Sequence, residues 1–179
     1  MKKILSTVLI SAVLATGAFA GDYFGPKEKM FSIHAKSINI NDSGLDRGTV
    51  YGFSITGGDF AKGDWGIKTS LEFNYGTIDY KGTTVDTTYT ELSLLAAPTY
   101  TFNCGARVYI GGKAGYAGFS DSVGNSDGKN GYILGIITGA EYPVMEHFMV
   151  GVEAELDSIY VKGTRFPTTA IGGYVGYKF

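Results

Sequence analysis

Residues 148–161 read FMVGVEAELDSIYV, and within them Glu153, Glu155 and Asp157 alternate with Val152, Ala154 and Leu156. A period of two belongs to a β-strand, whose successive side chains leave on opposite faces. Seven further segments share it: 30–40, 49–57, 65–78, 89–100, 106–119, 132–142 and 168–179. Between them lie runs such as NDSGLDRG, DSVGNSDGKNG and YPVMEH, rich in the residues that turns require. The pattern predicts an all-β domain of eight antiparallel strands. Each is long enough for the ~9–11 residues of a tilted membrane-crossing strand.

Phasing the segments places Lys36, Lys68, Glu72, Glu91, Arg107, Lys113, Glu141, Glu153, Glu155 and Asp157 on one face and aliphatic side chains on the other. Two stretches read less cleanly. Ser37 and Asn39 blur the upper half of 30–40, and Ile133 and Ile137 share a face with Glu141. A soluble barrel would also alternate, with the polar face outward. Aromatic placement predicts the inverse. Tyr51, Tyr75, Tyr116, Tyr132 and Tyr160 lie on the apolar face at one end of the strands, and Trp65, Tyr100, Tyr142, Phe148 and Phe179 at the other. Two such girdles flanking an aliphatic band mark a barrel whose outside meets lipid. Turning just the four cations to lipid at ~2 kcal/mol each would cost roughly 8 kcal/mol, comparable to a domain's stability. The charged row is therefore expected to line a lumen and to pair there. Arg107, Lys113 and Lys68 are the expected partners of Glu72, Glu141 and the acids of 148–161.

The N-terminus predicts export. Lys2 and Lys3 precede the uncharged stretch ILSTVLISAVLATG, and Ala18-Phe19-Ala20 supplies a small-x-small cleavage site. Residues 1–20 thus read as a signal peptide and 21–179 as one barrel domain. The formal charge of −2, about −4 without Lys2 and Lys3, is too weak and too dispersed for a nucleic-acid partner. Cys104 is the only cysteine, which excludes an intramolecular disulfide; it reads as a partly buried turn residue.

The last ten residues, AIGGYVGYKF, place Ile171, Val175, Tyr177 and Phe179 on one face, with Gly173 interrupting the row. This resembles the C-terminal assembly signal of bacterial outer-membrane proteins. With the signal peptide and the strand count, residues 21–179 look like the small eight-stranded outer-membrane barrels of the OmpA transmembrane domain, OmpX and opacity-protein type. The resemblance implies an up-and-down barrel in the outer membrane of a Gram-negative bacterium, with both termini periplasmic. It implies surface loops near 41–48, 79–88, 120–131 and 162–167, and periplasmic turns near 58–64, 101–105 and 143–147. Implied partners are outer-membrane lipid and lipopolysaccharide, and the barrel-assembly machinery during biogenesis; the resemblance names no surface ligand. No peptidoglycan-binding domain is expected after Phe179, and the loops are short for an opacity-type adhesin.

Other chemistry is thin. GGKAGYAG at 111–118 lacks the Ser or Thr that a phosphate loop carries after its lysine. Asp121, Asn125 and Asp127 lack EF-hand spacing and read as a solvated loop. Lipid-modifying activity would need a nucleophile and a base together at the outer rim. His147 falls in a turn, and His34 on the lumen face of the periplasmic half. No cofactor or metal is expected. The sequence points to a non-enzymatic envelope protein with an ion-paired lumen. A narrow channel and, more weakly, a lipid-modifying enzyme are the alternatives.

Overall fold

The computed structural model describes residues 28–41, 45–60, 62–80, 86–121 and 129–179. The expected signal peptide and most of the DSVGNSDGKNG loop, with the side chains of Asp121, Asn125 and Asp127, lie outside them. Eight strands run β1 Glu28–Ile40, β2 Leu45–Gly58, β3 Asp64–Tyr80, β4 Asp86–Thr101, β5 Arg107–Asp121, β6 Lys129–Pro143, β7 Phe148–Val161 and β8 Thr164–Lys178. Each pairs antiparallel with its sequence neighbours, and β1 pairs with β8, from Met30↔Lys178 to Ile40↔Thr168. Closure leaves the sheet no edge, so every strand finds its backbone partners within the wall.

The connections define two ends. At the turn end, 102–106 is closed by hydrogen bonds from the Phe102 N–H to the Ala106 carbonyl and from the Gly105 N–H to the Phe102 carbonyl, both 2.8 Å. Gly105 has a φ of 85°, a left-handed conformation that glycine adopts without steric cost. At the loop end, β7 and β8 are joined by Lys162 and Gly163 alone, with φ values of 48° and 85°. Two successive positive φ angles make the tight hairpin whose twist suits flanking strands.

Burial follows a period of two along the strands. The ten charged residues assigned to the lumen are all buried. Phe31, Ile33, Ile67, Leu94, Ile110, Leu134, Ile136, Val152, Leu156 and Ile171 point outward and are exposed. The strands run further toward the loop end than the alternation indicated: β2 begins at Leu45 rather than 49, β4 at Asp86 rather than 89, and β8 at Thr164 rather than 168. There the period of two continues but its chemistry inverts. Beyond the tyrosines the outward residues are polar, among them Ser37, Thr49, Thr77, Asp79, Ser120 and Asn130. The inward ones are apolar: Ile38, Ile40, Val50, Ile78, Ile133, Ile159 and Val161 form one buried cluster with Tyr89 and Ala117. Ser37 and Asn39 blurred the reading of β1 because they belong to this inverted section.

Candidate functional site

The lumen is the chemically dense part of the molecule. Its inward side chains come from all eight strands in register, and glycines on the same face leave room for the large ones. A Cβ added at Gly139 would collide with the Tyr109 ring, and one at Gly151 with the Tyr174 ring.

On the loop side, Lys36 of β1 sits among three carboxylates. Its ammonium bonds Glu72, reaches Glu155 at 2.6 Å and lies 2.8 Å from Glu153. Lys113 of β5 takes the other oxygen of Glu155 at 2.5 Å, with Glu91 at 2.8 Å and Asp157 at 3.2 Å. Glu155 thus bridges the two lysines. Neutral donors meet part of the remaining acceptor capacity: Tyr89 and Ser93 each donate to Glu91 at 2.7 Å, and the Asn74 amide donates to Glu72 at 2.6 Å. Asp157 Oδ1 is buried with no hydrogen-bond partner among the described residues. His34 belongs to this half and not to the expected periplasmic one, because Ala35 beside it pairs with Tyr51 of the loop-end girdle; its Nε2 lies 2.6 Å from Asn74 Oδ1 and 3.8 Å from Glu72.

On the turn side, Glu141 is the hub. It accepts from Lys68 at 3.0 Å, from Arg107 at 3.4 Å and from the Tyr174 hydroxyl. The Lys68 ammonium lies 3.9 Å from the centre of the Tyr109 ring, a cation–π contact, and the Tyr109 hydroxyl donates to Glu153 at 3.1 Å. Arg107 also grips Glu28 through NH1 at 2.7 Å and NH2 at 2.9 Å. Tyr109 links the halves, so polar contacts run from Glu91 and Asp157 down to Glu28. A gap of about 10 Å³ between the halves is bordered by Glu72, Glu153, Lys68 and six hydroxyl side chains, about what one water needs.

Lys68 and Arg107 meet Glu141, and Lys113 meets Glu155 and Asp157. Glu72 and Glu153 differ from the expectation: their cation is Lys36, because the stagger of the barrel carries side chains of β1, β3 and β7 to the same height. Sequence reasoning missed Glu28, which precedes the first phased residue, and the phenols of Tyr89, Tyr109 and Tyr174. Tyr109 and Tyr174 share the charged face by parity, a usable signal that aromatic character masked. Glu72, Glu153 and Glu155 bring oxygens within 4.8 Å of one another, a spacing that would suit a cation; the Lys36 ammonium fills that role.

Outside, the aromatic side chains bracket the aliphatic band. Tyr132 stacks on Tyr160 at 4.8 Å, and Trp65, Tyr100 and Phe102 form a cluster with centroid distances of 5.3 and 5.0 Å. From Tyr132 to Tyr142 the strand advances about 33 Å at ~3.3 Å per residue, or about 25 Å along the axis at a ~40° tilt, the height of a lipid-facing apolar band. The sequence profile of the outer membrane protein beta-barrel domain matches residues 6–179.

The chain belongs to that family.

As a member of the outer membrane β-barrel family it is an outer-membrane protein, crossing with strands. No curated protein matches it. Solved barrels share its architecture. Neisserial surface protein A is 16% identical with a TM-score of 0.67, over 84% of this chain and 97% of that one. Ail, the attachment invasion locus protein of Yersinia pestis, is 21% identical with a TM-score of 0.54, over 85% and 98%. OprG of Pseudomonas aeruginosa is 17% identical with a TM-score of 0.55, over 85% and 95%. At these identities the likeness is one of fold.

Proposed function

We propose that this outer-membrane barrel is a non-enzymatic envelope protein with a closed lumen, presenting its loop end at the cell surface and both termini to the periplasm. The observation that carries the reading is the double closure of the lumen: the ion-paired ladder through its middle and the apolar cluster around Ile133 and Ile159 at the loop end. An ion entering from the turn end would have to break the Lys36–Glu155–Lys113 bridge and then cross fully buried aliphatic side chains. An eight-stranded barrel has an interior about wide enough for its own side chains, and here they fill it. No nucleophile and base converge at the loop-end rim among the described residues.

Planar-bilayer recording on refolded protein tests this reading. The expected result is no steady conductance. A large, stable, ion-selective conductance from the wild type would replace it with the channel reading.

Export by the N-terminal segment and assembly through the C-terminal row belong to the same proposal. Phe179 is exposed on the lipid face, and its N–H is held by the Lys29 carbonyl at 3.0 Å. With Val175, Tyr177 and Ile171 it presents an apolar row, interrupted at Gly173, to an assembly partner. Deletion of Phe179 is expected to lower the outer-membrane level while leaving export across the inner membrane intact, as read by fractionation. Wild-type levels in the outer membrane would make Phe179 one more girdle aromatic.

A further inference from the structure

Below Arg107 the turn end opens into a cavity of about 410 Å³, within the range of small-molecule sites. Its polar wall is incompletely satisfied. The terminal nitrogens of Arg107 are engaged by Glu28 and Glu141, and the guanidinium stacks on Phe60 at 4.1 Å. Arg107 Nε and the hydroxyl of Thr101, its cross-strand partner, are buried without a hydrogen-bond partner among the described residues; the one unmet acceptor of the wall, Glu28 Oε1, is neutralised by its ion pair with Arg107 at 2.7 Å. Lys62 and Lys178 add two ammonium groups to the lining. Of the two lining acids, Glu28 is shared by Arg107 and, at 4.0 Å, Lys178, while Glu146 is exposed on the 144–147 turn. The rest of the wall is apolar, with Val144 and Met145 left 50% and 69% exposed.

Cations, unmet donors and bare apolar surface together complement one kind of ligand. We propose that the turn-end cavity binds a small amphiphilic anion, a carboxylate or phosphate on a short apolar body. The head lies toward Thr101, Arg107 and the lysines, where charge-assisted hydrogen bonds are strongest. The apolar body covers Val144, Met145 and Phe60. Two sources carry this chemistry: a free organic anion and the headgroup of a lipid in the adjoining leaflet.

Cys104 makes the test direct, because it is exposed and lines the cavity, so its alkylation by uncharged N-ethylmaleimide reports occupancy. In nanodiscs of zwitterionic lipid, hexyl phosphate is expected to slow the alkylation saturably and hexanol to leave it unchanged. Lys62→Gln and Thr101→Val should each weaken protection about three- to tenfold, the net loss of one solvent-accessible hydrogen bond. Glu146→Gln should strengthen it. Protection by anionic nanodisc lipid without added hexyl phosphate would assign the anion to the bilayer; protection by hexyl phosphate alone would assign a free anion. The proposal is overturned if hexyl phosphate gives no protection up to about 10 mM, where even a ~1 mM site fills. Equal protection by hexanol, or unchanged protection in both Lys62→Gln and Thr101→Val, would overturn it as well.

Discussion

Lys36→Met is expected to cost the barrel about 3–5 kcal/mol, the loss that follows when one member of a buried charge network is removed and its partners stay behind. Methionine keeps the length of the side chain and deletes the ammonium, so the change is almost purely electrostatic. Glu155 retains Lys113 at 2.5 Å, but Glu72 and Glu153 have no other lysine or arginine within 4.0 Å among the described residues. The measurement is the urea midpoint of the refolded protein in lipid vesicles. Two companions separate charge from packing. Lys36→Met with Glu72→Gln removes charge on both sides and should recover part of the loss. Calcium should do the same in the single variant, because carboxylate oxygens within 4.8 Å of one another can share an ion with ligand distances of ~2.3–2.6 Å. Calcium should not shift the wild type, where the ammonium already occupies that position. A Lys36→Met barrel as stable as wild type would mean that the lumen is a solvated lining rather than a sealed network.

Which residues face the lumen was legible because parity alone decides it. One period-two phase per strand is enough to place Lys36, Lys68, Arg107, Lys113 and their acids on the same side. Who pairs with whom was not, since Lys36 and Glu155 are 119 residues apart and meet through the stagger of a closed sheet. Alternation along a strand carries no information on height. Glu28 was missed for a related reason: it starts β1 beyond the first clean alternation, and only the seat of Arg107 gives it a role. The turn-end cavity left no trace in the pattern, because Lys62, Val144 and Met145 lie in connections, where no period applies. The inverted section misled in a more instructive way. Its alternation is as regular as the rest, but the rule that apolar means outward fails where the outside of the barrel is wet. The strand ends at Leu45, Asp86 and Thr164 were therefore assigned to loops.

That inversion also fixes where lipid should stop, and one strand can measure it. On β6, Ile136 and Asn130 both point outward, on opposite sides of Tyr132. Ile136 lies between Tyr132 and Tyr142, near the middle of the aliphatic band. Arginine there should cost about 2–4 kcal/mol, the penalty for a cation at mid-bilayer on a barrel's lipid face. Asn130→Arg, past the tyrosine girdle, should cost at most about 1 kcal/mol, since the side chain enters water or the headgroup region. Inward positions should show the reverse trend. Ile133 is fully buried in the loop-end cluster, so Ile133→Ala should lose about 2–5 kcal/mol, as in the core of a soluble protein. Urea midpoints in vesicles of one lipid composition give all three values. If Asn130→Arg costs as much as Ile136→Arg, the bilayer reaches the strand ends and the polar outward residues there are buried in lipid. If it costs little while Ile133→Ala costs much, the barrel is two proteins end to end: a membrane section with its charges inside, and a projecting section with its charges outside. A lumen built that way is held shut at the loop end by the hydrophobic effect and in the membrane by ion pairs, with Tyr89, packed in the one and bonded to Glu91 of the other, joining the two closures.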